Sequence, residues 1–289
     1  MDMNQEEQSS LHITNSYSIS LVENLLKELK IIVQSETFNL DKLTSWIVEH
    51  QDDFDNILRK VNNSSRSTFD SHHGVVPVVQ EYLFPSFAQQ YVPVSTTGDG
   101  NCLYHMLSLD LIGTEEYMKH LRLLCAYSLI TNQHRMLKLI SPIAKLNLPR
   151  KDRNAASIAR AAEKHWLKVL CDAVEEKVWG NQHHRQALSI VLERAIHVYG
   201  IMCHRQVDDE GMRLPPIQIH ITSMGLQALF DQQDKRLNNH YRYAPLVNRH
   251  LPLSGFFDTG HFTALLPVDE SCTVFTPFST FMSVWAHEV

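Results

Sequence analysis

The chain has little that would tie it to nucleic acid, a membrane or an oxidising compartment. Acidic residues outnumber basic ones, 32 to 26, for a net charge of −6, whereas nucleic-acid binders usually carry a basic excess. No stretch approaches the roughly 18–20 apolar residues of a membrane span. The opening MDMNQEEQSS is acidic and polar, without the basic start and apolar run of a signal peptide. The five cysteines, Cys102, Cys125, Cys171, Cys203 and Cys272, are odd in number, widely spaced and without a CxxC pair. That argues against a disulfide framework and fits a reducing compartment. The pairs His72–His73, His183–His184 and Cys203–His204 are isolated and lack zinc-site spacing. Walker loop, GxGxxG and HExxH are all missing, as are internal repeats and low-complexity tracts. We therefore expect no metal, no organic cofactor, no nucleic-acid partner and no membrane span. The expected setting is cytoplasmic, with the nucleus and delivery into a host cytosol as open alternatives.

What is there is an ordinary globular composition, 44% hydrophobic and 20% charged over 289 residues. That length suits one large domain, or one of roughly 150–200 residues plus an extra segment. Residues 1–18 are polar and expected to form a disordered tail. Leu21, Leu25, Leu29 and Ile32 then recur at helical spacing. Leu43, Trp46, Ile47, Phe54, Ile57, Leu58 and Val61 form a second apolar stripe, so 19–62 reads as a helical hairpin. The Asn- and Ser-rich 63–74 reads as a linker, and 75–289 as the main domain.

Within it, CLYHMLSLDLIG predicts a helix closed by Gly113. Thr114 is placed to cap the next helix, with Glu115 and Glu116 in its first turn. Residues 141–160 read as a surface excursion leading into another helix. Residues 181–200 read as a helix running into a strand. IQIHITS alternates at period two, and HFTALLPV and CTVFTPF read as further strands. Helices early and strands late predict an α+β class, with a small central sheet flanked by helices in three layers.

The chemistry concentrates in TTGDGNCLYHML, residues 96–107. Cys102 opens the predicted helix, where unpaired N–H groups and the positive dipole end favour an anion. Gly98 and Gly100 let the preceding loop bend tightly and bring its N–H groups near the sulfur. Such donors, on Gly98, Gly100 and Asn101, can form an oxyanion hole. Asp99 either stiffens that loop or helps place a histidine. His105, one turn after Cys102, is less suited as a base, because it points along the helix. His261, far downstream at the start of a predicted strand, is the better base, since catalytic Cys and His are commonly distant in sequence.

GDGNCLYHML followed by GHFTALL resembles the ovarian-tumour (OTU) family of cysteine proteases, and VWGNQHHRQALSIVLERAIHVYG is similar to that family's middle block. The resemblance covers roughly residues 90–268. It implies a papain-like fold and a thiol-dependent hydrolase acting after the C-terminal glycine of ubiquitin, polyubiquitin or a ubiquitin-like modifier. It makes Cys102 the nucleophile, His261 the general base and Asp99 part of the oxyanion loop. Many members carry Asp or Asn two residues after the histidine, whereas this chain has Thr263 there. The group orienting His261 is then Thr263 itself, or Asp258, or Asp99. Two alternatives stay open: an inactive ubiquitin-binding scaffold, and a protease acting on a non-ubiquitin polyprotein.

Overall fold

The computed structural model describes residues 5–64, 67–83, 88–202, 217–223, 253–258 and 261–268. Cys203, Cys272 and the strand expected over CTVFTPF lie outside them. The architecture is α+β. A five-stranded sheet is made of β1 (Tyr91–Val94), β2 (Ile196–Met202), β3 (Ile217–Ser223), β4 (Leu253–Asp258) and β5 (His261–Pro267), in the order β1-β5-β4-β2-β3. β2 and β4 run parallel, and every other neighbouring pair is antiparallel.

Helix α5 (Cys102–Ile112) lies against β4 and β5 and is the centre of the molecule. Every residue from Cys102 to Leu111 is buried, because this helix is apolar nearly all round. It sits close to the sheet because Gly255 has no side chain; a Cβ there would come within 1.9 Å of Met106 Sδ. The Asp110 carboxylate accepts the Ser254 N–H at 2.6 Å, tying the end of α5 to β4. Gly113 closes α5 in the left-handed conformation at φ 73°, as the sequence predicts.

α6 (Met118–Thr131) packs against α5, and α7 (Gln133–Asn147), α8 (Ala155–Val174) and α9 (Gln182–Val191) pack in turn against α6. The short α4 (Pro77–Tyr82) covers the other sheet face through Val79, Leu83, Tyr91, Phe256 and Leu265.

Several expectations are corrected. Thr114 does not cap a helix: α6 starts only at Met118. Residues 114–117 are instead drawn back onto α5, where Ser108 Oγ donates to Thr114 O and accepts the Tyr117 N–H. The excursion over 141–160 is helical as far as Asn147. The N-terminal hairpin is three helices, α1 (Gln5–Val33), α2 (Leu40–Glu49) and α3 (Gln51–Asn62), the last two meeting at His50. Residues 5–18, expected as part of a disordered tail, continue α1, since extending a packed helix costs far less than nucleating one.

The expected linker is bonded to the main domain. Ser67 N–H donates to Asp110 O, Phe69 N–H to Pro267 O, and Val76 N–H to Pro93 O. Val22, Leu25, Leu29, Phe54, Ile57 and Val61 share one core with Leu103, Leu107 and Leu124. Phe54 stacks on Tyr127 at 4.5 Å. The strands β1 and β4 were not apparent from sequence. β1 is four residues long and includes Pro93, and β4 contains Gly255; both residues are poor strand formers. Among the described residues, no helix is long and apolar enough to cross a membrane.

Burial holds His120, His183 and His184 at about 4, below the ordinary 6.5. His184 completes the capping box of α9 and contacts Val169 O through Nε2 at 2.8 Å. A histidine that protonates less readily folded than unfolded stabilises fully above about pH 6.5 and loses that contribution as pH falls. We expect the melting temperature to drop progressively from pH 6.5 to 4, with a shallower slope in His184→Gln. A flat melting temperature across that window would contradict the assignment.

Candidate active site

Two elements of the sheet layer converge on the segment that leads into α5. β1 pairs with β5 in a register that puts Val94 opposite Ala264, so the chain leaves β1 beside the start of β5. Thr96 reaches across to β5: its Oγ1 donates to Phe262 O at 2.5 Å and lies 3.0 Å from His261 Nε2. Gly98 follows, and a Cβ there would stand 3.9 Å from His261 Cε1. Cys102 comes four residues later, buried at the first turn of α5. The sequence-predicted Cys102 loop and His261 are thus brought together by strand pairing.

The loop has a built shape. Gly100 adopts φ +92°, and a Cβ on it would come within 2.1 Å of Lys177 O, so the 175–181 segment presses directly onto it. Gly180 lies against Leu103 in the same way. Trp179, between these contacts, is 61% exposed at the rim of the site.

Asn101 is the hub, and it departs from its expected role. Its backbone N–H donates to Asp99 Oδ1 at 2.9 Å and its Nδ2 to Asp99 Oδ2 at 2.8 Å. Its Oδ1 accepts from Arg122 Nε at 2.8 Å and from Lys177 N–H at 3.1 Å. An N–H already engaged by a carboxylate is unavailable to a reacting oxygen. Among the described residues, the N–H groups of Gly98, Gly100 and Cys102 make no hydrogen bond and are the available donors.

Asp99 likewise faces inward. Besides Asn101 it meets His105 Nε2 at 3.2 Å. Burial alone would raise its carboxyl, but the hydrogen bonds from Asn101 and the neighbouring His105 outweigh that and lower it. Its described partners do not include His261. His105 Nδ1 also stands 3.3 Å from Glu115 Oε2, and Glu115 accepts Thr97 N–H at 2.7 Å and Thr97 Oγ1 at 2.6 Å. His105 is thus hydrogen-bonded to Asp99 through Nε2, while its Nδ1 lies within ion-pair distance of Glu115 without a hydrogen bond to it. Thr263 is buried opposite Phe256, and among the described residues no hydrogen bond joins it to His261. Asp258 pairs with His261 across the β4–β5 hairpin.

Arg122 was missed from sequence. It is fully buried and donates to Asp172 O, Ala173 O and Val178 O as well as to Asn101, with Tyr104 4.2 Å from its guanidinium. An arginine inside the otherwise apolar HLRLLCAYSLI is the signal that could have found it. Thr96 carried no signal of its own. Burial pushes the Cys125 thiol up to about 12 and raises that of Cys171, so neither competes as a nucleophile. Among the described residues no cluster of His, Cys, Asp or Glu could hold a metal ion.

A family model described as "Vertnin, OTU domain" matches residues 93–207. No curated protein matches the chain. Among solved structures the chain is similar to the viral OTU domain protease from Farallon virus, with 14% identity, 71% of this chain and 98% of that chain covered, and a TM-score of 0.39. It is also similar to the OTU domain of OTUD1, at 14% identity, 61% and 85% coverage and a TM-score of 0.34. The Hazara virus OTU bound to ubiquitin gives 17% identity, 63% and 85% coverage and a TM-score of 0.30.

Two substitutions test this architecture. Gly100→Ala forces a side chain into the left-handed region and onto Lys177 O; we expect a loss of at least about 2–3 kcal/mol in urea unfolding. Arg122→Met strands three carbonyls and Asn101 without their donor, and we expect a loss of about 3–5 kcal/mol. Wild-type stability in either would overturn the arrangement.

Proposed function

We propose, from the premise that residues 93–207 form an OTU-family domain, that this chain is a thiol hydrolase. It cleaves isopeptide or peptide bonds after the C-terminal glycine of ubiquitin or a ubiquitin-like protein. One observation carries the reading: strand pairing seats the His261 ring against the loop that turns into α5 at Cys102.

The chemistry follows in two stages. His261 takes the proton from Cys102 Sγ, and the sulfur attacks the glycyl carbonyl carbon. The carbonyl oxygen gains the electron pair and is met by the N–H groups of Gly98, Gly100 and Cys102. These donors lie at a helix start and a glycine turn, so they need no rearrangement as charge develops. The intermediate collapses and expels the lysine amine, which leaves with the proton held by His261. A water molecule, deprotonated by His261, then attacks the thioester and regenerates Sγ. No step calls for a metal or an organic cofactor. Trp179 and the 175–181 segment form one wall beside the nucleophile, suited to a slender glycine tail.

A second reading is a ubiquitin-binding module with little turnover. It is favoured by one observation: the side chain meeting His261 is the neutral Thr96, which supplies no charge to an imidazolium.

The test is incubation of the full chain with ubiquitin bearing a C-terminal electrophile. We expect one covalent adduct in wild type, none in Cys102→Ala, and labelling slowed at least about 100-fold in His261→Ala. Binding to ubiquitin without an adduct establishes the second reading. Neither binding nor adduct, on a folded chain, removes ubiquitin as the substrate.

A further inference from the structure

Among the described side chains, the one that meets the His261 ring is Thr96, and neither Thr263 nor Asp99 is hydrogen-bonded to it. Thr96 is 9% exposed, just beyond the end of β1. Its Oγ1 is 2.5 Å from Phe262 O and 3.0 Å from His261 Nε2. A hydroxyl has a single proton. The Phe262 carbonyl can only accept, so that proton points to it. Toward His261 the same oxygen then offers only lone pairs, and Nε2 must carry a proton to complete the bond. Neutral imidazole has one N–H, so Nδ1 is left as the bare, basic nitrogen.

We propose that Thr96 is the positioning residue of His261: anchored by Phe262 O, it holds the Nε2–H tautomer and leaves Nδ1 to take the Cys102 proton. This rests on the hydrolase reading above. The role is one that a side chain two residues after the histidine would otherwise fill, and it is supplied here from the segment just past the neighbouring strand β1. The device works through the backbone. β1 and β5 are zipped in register, so the carbonyl that orients the Thr96 hydroxyl belongs to the residue next to His261 itself. Movement of the strand carries acceptor, hydroxyl and ring together. Asp99 and Glu115, the nearest charged groups of the loop, are bonded within the loop clamp and make no described hydrogen bond to this ring.

The test uses a probe that needs no ubiquitin. The rate of Cys102 alkylation by iodoacetamide is followed against pH in the full chain, with Cys102→Ala giving the background from other thiols. Thr96→Val keeps the volume and removes the hydroxyl, and should slow alkylation near pH 7 roughly 10- to 100-fold and shift the pH profile. Thr96→Ser restores the hydroxyl and should recover the profile to within about 3-fold, which a purely packing role would not predict. A Thr96→Val profile that superimposes on wild type overturns the proposal, as does Thr96→Ser failing equally with the chain folded.

A second measurement needs only wild type and His261→Gln for assignment: two-bond ¹⁵N–¹H correlation spectra of the imidazole. The Nε2–H pattern is expected, and an Nδ1–H pattern overturns the proposal even if Thr96→Val does not fold. If wild-type Cys102 shows no enhanced reactivity but the Nε2–H pattern is found, the hydrolase reading fails and the Thr96 assignment stands.

Discussion

A guanidinium out of reach of solvent governs this molecule. Arg122 stands at the junction of α6, the end of α8, the 175–181 segment and the loop before α5, and donates to backbone or side-chain oxygens of each of the last three. A charge so deeply placed tolerates little departure from its acceptors, because each lost bond leaves an unpaired group in a low-dielectric interior. Asn101 passes the constraint on. With one face held by Arg122 and Lys177 N–H, its other face fixes Asp99 and so the path of the chain through Gly100. The geometry of the loop is thus dictated from behind, by the core, and not from the open side where a substrate would sit.

Two carboxylates near the site, Asp99 and Glu115, are occupied in that structural work. Asp99 is bound up with Asn101 and His105, and Glu115 with Thr97 and His105. Each holds the loop against α5 at a different point, Glu115 near its start and Asp99 near its end. The histidine on β5 is met by a neutral hydroxyl instead. Fixing a ring's direction and stabilising its charge are separable tasks: a hydroxyl with a defined acceptor can do the first without the second. Among the described residues, Asp99 and Glu115 shape the backbone, and the contact to the His261 ring comes from Thr96, just past the end of β1.

The class of fold was legible because its signals are local. A run of period-two isoleucines marks β3, the stripe through Leu103 and Leu107 with Gly113 behind it marks α5, and the GDGNC turn marks the loop. The short β1 and the glycine-bearing β4 were not legible, since their pairing with β5 and β2 is a long-range choice that propensity does not record. The same limit explains the site. Cys102 and His261 could be named from residue type and local context, but which group meets His261 Nε2 depends on the β1–β5 register, and that set Thr96 against Phe262 and not Thr263 against the ring. From sequence, Asn101 reads only as one of the loop's N–H donors beside the nucleophile. Only the buried Arg122 explains why it turns inward.

The N-terminal helices give the chain a further property. α1 and α3 supply part of the same core that α5 and α6 close, Lys30 pairs with Glu175 at 2.8 Å, and Arg194 reaches back to the carbonyl oxygens of Asn62 and Ser64. Glu175 begins the segment that carries Lys177, Trp179 and Gly180 to the nucleophile loop. The described core-facing parts of α1 and α3 are therefore an inner buttress of the site. A shortened form beginning at the GDGNC block would keep every group named in the chemistry and lose the wall they lean on, so in this protein the smallest piece that contains the motif and the smallest piece that can hold it in shape are different lengths of chain.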